Sequence, residues 1–331
     1  MNIVIHYAWL GLLLGVVACI ISAAVYPLVL RMARVWRVLD CSEERKLHCT
    51  PVPAMGGVVI FIGMFFTVAL FFTFFPFDKY FVLLMTMMVL LLVGLWDDVK
   101  DISVWIRIVI ETLVVVALIY YGGKKIELFG GVWGIGVLNC WWSWVISVLA
   151  GVGLMNAINL IDGVDGYSSA YIMGACFLFA CVFYMCDMYG MGILSVVCIG
   201  AVFPFFLHNV FGFMTKMFRG NGGTLMIGTL IVGLTFSMLQ SGSQCDAVLH
   251  VQYGMGLVSL GLSFLSIAVF DTLRVMFVRI IHKKSPFHPD KHYLHHIVYR
   301  LWFLAPWNSL CHSLLESDGG HCVVAELIAW G

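Results

Sequence analysis

Charge is scarce in this sequence. Asp, Glu, Lys and Arg make up 11% of its 331 residues while 62% are hydrophobic, far from the roughly 25% charged composition of soluble domains. That balance excludes an ordinary water-soluble globular protein and makes a lipid bilayer the expected solvent. Net charge is absent too, with 18 basic against 18 acidic residues, so overall charge offers no case for a nucleic-acid partner; what informs is how charge is shared between loops. The 11 cysteines contain no CxxC pair and no ligand-like spacing, and several, such as Cys19, Cys176, Cys181 and Cys198, sit inside apolar runs. They read as small buried thiols rather than as disulfides or a metal centre. The first apolar run is longer than a signal-peptide core of about 7–15 residues and no small-residue cleavage site follows it. It is expected to remain as a span.

What the sequence has in abundance is long apolar runs. A spanning helix needs about 20 mostly apolar residues, and nine segments approach that: Ile3–Leu30, Met55–Phe75, Tyr80–Trp96, Val104–Tyr121, Trp141–Met155, Tyr167–Cys186, Met191–Leu207, Thr224–Leu239 and Gln252–Ile280. They are continuously apolar rather than alternating, which argues against a β-barrel and predicts an all-α polytopic transmembrane bundle. The loops between them alternate sides. One set holds Arg31, Arg34, Arg37, Arg45, Lys46, Lys100, Arg107, Lys216, Arg219, Arg274, Arg279, Lys283, Lys284, Lys291 and Arg300, and the other only Lys79, Lys124 and Lys125. That asymmetry predicts an outer amino terminus and places the first set in the cytosol. The Gly130–Gly136 stretch has a superficial likeness to a nucleotide loop, but no strand precedes it and it falls on the outer side, so it reads as a turn.

The unusual polar residues all fall on the basic side. Asp97 and Asp98 end an apolar helix, where two adjacent carboxylates repel each other unless a cation neutralises them; a hard, oxygen-seeking ion such as Mg²⁺ suits them, and Asp101 would lie one turn from Asp97 if the helix continued. The competing reading is a solvated helix end. Asn156, Asn159, Asp162 and Asp165 recur every third residue with Gly163 and Gly166 beside the acids, which stacks four polar groups along one side of a helix end, although Asx residues with glycine also make ordinary turns and caps. Gly220-Asn221-Gly222-Gly223 precedes a span and would bring backbone N–H groups near phosphate oxygens at a helix start. His288, Asp290, Lys291, His292, His295 and His296, with Arg279, Lys283 and Lys284, form the most polar stretch and suit a pyrophosphate. Zinc is the alternative for a histidine cluster, but neither a cysteine nor an HExxH pattern accompanies it.

Taken in order, Gly94-Leu95-Trp96-Asp97-Asp98, the Asn156–Gly166 stretch, Phe270-Asp271-Thr272-Leu273-Arg274, and Ser285-Pro286-Phe287-His288-Pro289-Asp290 leading to Leu294-His295-His296 resemble one family. It is the polyprenyl-phosphate N-acetylhexosamine-1-phosphate transferases, glycosyltransferases of the family 4 type, which begin enterobacterial common antigen, O-antigen and teichoic acid linkage units. The likeness runs from about Met55 to about His296. It implies transfer of N-acetylhexosamine-1-phosphate, GlcNAc-1-phosphate first among the choices, from a UDP-sugar to undecaprenyl phosphate with release of UMP, the first membrane step of a cell-surface polysaccharide. It implies Mg²⁺, with Mn²⁺ as alternative, held by Asp97 and Asp98 with Asn221, and Asp162 and Asp165 activating or positioning the phosphates. Asn156, Asn159, Lys100, Arg274 and the His288–His296 residues join them as candidate substrate-binding groups. The implied setting is a bacterial inner membrane, multi-pass, with a cytosolic active site, no nucleic-acid partner, and a homo-oligomer compatible. Both reactants are phosphates, so the acceptor oxygen is already anionic and the barrier lies in bringing negative groups together in line.

The related phospho-N-acetylmuramoyl-pentapeptide transferases share the acidic motifs, but the Asp-Thr-Leu-Arg and Ser-Pro-Phe stretches are closer to the first group. A transporter, or an inactive relative that binds nucleotide sugar or lipid, is the reading from another class; transporters carry polar groups at the bilayer midplane, whereas these gather at one face. Two departures from the family stand out. The family has Asp where this chain has Asn221, and it continues into further spans where Leu301–Gly331 carries His312, Glu316, Asp318, His321 and Glu326. Back-translating Trp302–Asn308 with suitable codons and reading one nucleotide later gives Gly-Phe-Ser-His-Leu-Gly-Thr, similar to the family's continuation. The expected organisation is therefore one transferase domain over residues 1–300 and a frameshifted tail over 301–331.

Overall fold

The computed structural model describes residues 2–36, 38–40, 52–71, 77–100, 102–127, 134, 136–162, 166–212, 215–240 and 255–281. Along these the order is α1 (Asn2–Val35), β1 (Leu39–Asp40), β2 (Val52–Pro53), α2 (Gly56–Leu70), α3 (Phe77–Val99), α4 (Val104–Gly122), α5 (Cys140–Ile161), α6 (Tyr167–Met185), α7 (Tyr189–Phe211), α8 (Gly220–Gln240) and α9 (Met255–Ile281). The architecture is an all-α polytopic bundle. The helices fall on the nine apolar segments, and α1 and α3 to α8 are long and apolar enough to cross a membrane; α2, at 15 residues, is shorter. The strands form one small antiparallel pair, Leu39 opposite Pro53 and Asp40 opposite Val52.

Most helices run a few residues beyond the expected bounds, α1 to Val35 and α7 to Phe211 among them, and two depart for a local polar reason. α5 runs on to Ile161 rather than ending near Met155, because Asn156 and Asn159 both find side-chain partners on neighbouring helices. α8 starts at Gly220 rather than Thr224 because its first amides are capped by a carboxylate from α3.

The chain divides into two compact units, Met1–Leu273 and Arg274–Gly331. In the first, α8 is central and almost entirely buried. Its partners come close because glycines meet glycines: a Cβ built on Gly57 would stand 2.2 Å from the Gly223 Cα, and one on Gly94 2.4 Å from the Gly222 Cα. With lipid outside, such close packing is a main source of helix association. Large apolar side chains such as Trp9, Leu13, Ile20, Val109 and Phe177 face outward, as they should towards hydrocarbon. Exposed Trp96 and Trp105 stand at one end of the bundle and Trp141, Trp142, Tyr120 and Tyr121 at the other, the pattern of interfacial aromatic belts. In the second unit the described part is the end of α9, Arg274–Ile281.

The expectation for cysteine holds at Cys19, Cys140, Cys176, Cys181 and Cys198, which are free thiols. It is corrected at Cys186, which caps the end of α6 beside Asp187 and is disulfide-bonded. Leu138 N donates to Glu127 O at 2.9 Å; of the Gly130–Gly136 stretch between them, all but Gly134 and Gly136 lie outside the described residues.

Candidate active site

The polar residues that the sequence strings over a hundred positions are brought to one end of the first unit. Asp97 and Asp98 come from the end of α3, Arg107 and Glu111 from the start of α4, Asn156 and Asn159 from the last turns of α5 with Asp162 as its C-cap, and Arg219 and Asn221 from the start of α8. α3 and α4 run antiparallel through a short link, so their facing ends share this end of the bundle.

Asp97 and Asp98 point to different neighbours. Asp97 is buried, accepts Ile102 N at 2.8 Å through Oδ1 and pairs with Arg107 Nη1 at 3.5 Å through Oδ2. Asp98 turns to α8, where its Oδ1 accepts Asn221 N at 2.9 Å and its Oδ2 accepts Gly222 N at 3.4 Å. The expected mutual repulsion is thus relieved by protein groups: a guanidinium for one carboxylate, helix-start amides for the other. Two amides of the Gly220–Gly223 element, Asn221 N and Gly222 N, hold Asp98. Gly220 is required where it stands, with φ +74 and a built Cβ 2.5 Å from Asp98 Oδ2; both the backbone conformation and the close carboxylate exclude a side chain.

α5 supplies the next row. Asn156 Nδ2 donates a short hydrogen bond to Glu111 Oε2 and another, at 3.0 Å, to Val152 O. Asn159 Oδ1 accepts Thr224 Oγ1 at 2.6 Å, tying α5 to α8. Asp162 Oδ1 lies 3.9 Å from Arg219 Nη1. The three-residue spacing does place Asn156, Asn159 and Asp162 together along the end of α5; Asp165, like Asp101, falls outside the described residues.

Arg219 is the largest fully buried side chain among the described residues. Its Nη1 donates to Ser168 Oγ at 2.8 Å and its Nη2 to Ser169 Oγ at 2.7 Å, and its guanidinium carbon lies 5.6 Å from the centre of the Phe205 ring. The backbone around it is fixed by a ladder: Phe218 N donates to Pro53 O, Gly56 N to Phe218 O and Gly57 N to Arg219 O. The small β1–β2 pair therefore sets where α8 begins. A hydrogen bond from a charged group contributes about 1.5–3 kcal/mol, so removing the Ser168 and Ser169 hydroxyls together is expected to lower the thermal unfolding midpoint by several degrees, and Arg219→Lys, which keeps charge but not the two-pronged geometry, should lower it as well with both serines present. Unfolding of detergent-purified variants measures both.

Glu111, and the roles of Arg107 and Arg219, are not among the site residues expected from the sequence. The signal was present: a glutamate well inside an apolar span, with an arginine one turn before it, is costly in a membrane unless it has a task. Of the remaining expected residues, Lys100 is exposed just past α3, Arg274 belongs to α9 in the second unit, and His288, Asp290, Lys291, His292, His295 and His296 fall outside the described residues.

Residues 80–239 match the sequence profile of glycosyl transferase family 4, a stretch that contains every member of the cluster from Asp97 to Asn221. This part of the chain is similar to the family 4 glycosyl transferases. Three relatives of the wider chain carry one kind of name. The undecaprenyl-phosphate alpha-N-acetylglucosaminyl 1-phosphate transferase of Escherichia coli (strain K12) is 25% identical over 279 residues, 82% of this chain and 72% of that protein. The protein of the same name from Yersinia pestis is 26% identical over 271 residues, 80% and 70% of the two chains. The probable undecaprenyl-phosphate N-acetylglucosaminyl 1-phosphate transferase of Bacillus subtilis (strain 168) is 27% identical over 286 residues, 85% and 76%. Within the family 4 region lie α3 to α8 almost whole, so the match covers the elements that build the cluster and stops short of α1, α2 and α9.

Proposed function

We propose that this membrane-embedded chain transfers GlcNAc-1-phosphate from UDP-GlcNAc to undecaprenyl phosphate, releasing UMP, at a site on the cytosolic face of a bacterial inner membrane. The observation that carries the reading is the convergence of acids, amides and arginines from α3, α4, α5 and α8 at one end of an apolar bundle, inside the family 4 region. The named relatives support the lipid phosphate and the sugar-1-phosphate. The positive-inside count supports the cytosolic side.

Electrostatics indicate what the cluster needs. Asp97, Asp98, Glu111 and Asp162 stand against Arg107, Arg219 and the exposed Lys100, so the described groups alone would not welcome two phosphates. We infer that a divalent cation and the basic His288–His296 stretch supply the missing positive charge. Mg²⁺ takes one or two carboxylates and leaves its remaining positions to phosphate and water. Among the described residues no group of three or more His, Cys, Asp or Glu converges on a point, but Asp98 fits this lighter demand: it is half-buried, a carboxylate oxygen can accept more than one bond, and Asn221 is beside it. Asp98 and Asn221 would hold the ion, with Asp97 as the adjacent acid, and the ion would offset phosphate charge as the acceptor oxygen approaches. The chain's own part is positional: the Asn156, Asn159 and Asp162 edge faces the reacting phosphates, Arg219 holds that edge against α6 and α8, and the outward apolar faces accept the prenyl tail. Release of labelled UMP and formation of lipid-linked product from UDP-GlcNAc, undecaprenyl phosphate and Mg²⁺ in detergent test the reading; no product under any divalent cation would overturn it.

Asn221→Asp is a sharper probe of the cation. It sets a second carboxylate next to Asp98, which is unfavourable without a counter-ion and favourable with one. Its unfolding midpoint should fall below wild type in chelator and rise above it in millimolar Mg²⁺, and the Mg²⁺ needed for half-maximal transfer should drop. Identical Mg²⁺ responses in both proteins would remove position 221 from the cation's surroundings.

A further inference from the structure

Glu111 is fully buried on α4 and has no part in the mechanism above. It accepts Asn156 Nδ2 with one oxygen, while the other lies 3.4 Å from Arg107 Nε. Arg107 in turn reaches Asp97 Oδ2 at 3.5 Å with Nη1. One guanidinium is therefore shared, at nearly equal distances, between a carboxylate at the membrane boundary and one sealed inside the bundle. The contact with Glu111 Oε1 does not close as a hydrogen bond, and among the described residues neither Arg107 Nε nor Glu111 Oε1, both buried, has a hydrogen-bond partner. A buried charge left without its counter-charge is costly, so Glu111 restrains Arg107 from moving wholly onto Asp97. Its second oxygen fixes Asn156, the first residue of the α5 edge.

We propose that Glu111 is a positioning residue for the transfer reaction: by dividing Arg107 with Asp97 it keeps the Asp97 carboxylate loosely held and open to the reacting groups, and by binding Asn156 it sets the α5 edge at the matching distance. The inference rests on the proposed transferase reading. Without Glu111's charge, Arg107 has Asp97 as its one carboxylate partner in this chain of contacts and closes on it. Without Arg107, Glu111 is a buried anion facing no cation. With neutral glutamine at both positions, neither fault remains.

The test is a double-mutant cycle of Glu111→Gln, Arg107→Gln and the two together, each read by steady-state transfer and by thermal unfolding in detergent. Glu111→Gln keeps the side-chain volume, so it should lower kcat about tenfold while donor and acceptor KM stay near wild type and the unfolding midpoint changes little. Arg107→Gln should lower both activity and midpoint, and the double variant should exceed Arg107→Gln in both, a coupling of about tenfold or more. Additive losses in the cycle, or a Glu111→Gln kcat equal to wild type, would overturn the proposal. If the wild type transfers nothing, the transferase reading fails by itself. The midpoints then decide the charge coupling alone: a double variant no more stable than Arg107→Gln overturns it.

Discussion

Asp98→Asn is expected to abolish transfer and, at the same time, to loosen the first turn of α8. The carboxylate of Asp98 accepts two consecutive backbone amides, Asn221 N and Gly222 N, and so ends α3 and begins α8 with the same group. An amide side chain offers one acceptor oxygen and presents an NH₂ to the other backbone N–H. The loss of one charge-assisted bond costs about 1.5–3 kcal/mol, which is felt where Gly220, Asn221 and Gly222 sit. If the site works as proposed, the same change removes the carboxylate best suited to the cation, and a fall in turnover of at least about a thousandfold follows from losing that charge stabilisation. The two effects separate in measurement. Asp97→Asn should spare the α8 start, because Asp97 is bound to Ile102 and Arg107 instead; it should therefore retain more of the wild-type unfolding midpoint than Asp98→Asn while still losing activity. Wild-type-like turnover in Asp98→Asn would sink the proposed role, and an unchanged midpoint would show that the two amide bonds contribute nothing.

The fold was legible in the sequence because nine apolar runs are a one-dimensional signal: each span can be counted without knowing its neighbours. The cluster was half legible for the same reason. Adjacent acids at the end of a span and an Asx row at fixed spacing are local patterns, and the structure does gather Asp97, Asp98, Asn156, Asn159, Asp162 and Asn221 at one end of the bundle. What the sequence could not convey is pairing. That Asp98 would spend its oxygens on the amides of α8 depends on α3 and α8 lying side by side, 123 residues apart in sequence. That Glu111 would meet Asn156 depends on α4 and α5 in the same way. Arg219 was visible only as one more cytosolic arginine; its burial against Ser168 and Ser169 follows from the backbone ladder through Pro53 and Phe218, which no spacing announces.

The contact that places α3 against α8 is also where the largest loss of stability is expected, at Gly94. A methyl group there would lie 2.4 Å from both the Cα and the N of Gly222 and 2.6 Å from the carbonyl carbon of Asn221. All three are backbone atoms, so no side chain can rotate away and the helices themselves must part. Overpacking a core costs about 1–3 kcal/mol and more where relief requires backbone movement, which puts Gly94→Ala at the upper end of that range or beyond it. Asp98 rides on α3 one turn further along and meets α8 at Asn221 and Gly222, so the movement that relieves the clash also stretches the two carboxylate–amide bonds. Loss of stability and loss of the site thus share one cause. Gly153→Ala on α5 is the control: a Cβ there meets nothing within 4 Å, and in a helix the change from glycine to alanine stabilises by about 0.5–1 kcal/mol. Unfolding midpoints of the two variants in the same detergent should move in opposite directions, with transfer lost in Gly94→Ala and kept in Gly153→Ala. A Gly94→Ala protein as stable and as active as wild type would show that α3 and α8 do not meet at these glycines, and with that the placement of Asp98 on α8 would fall.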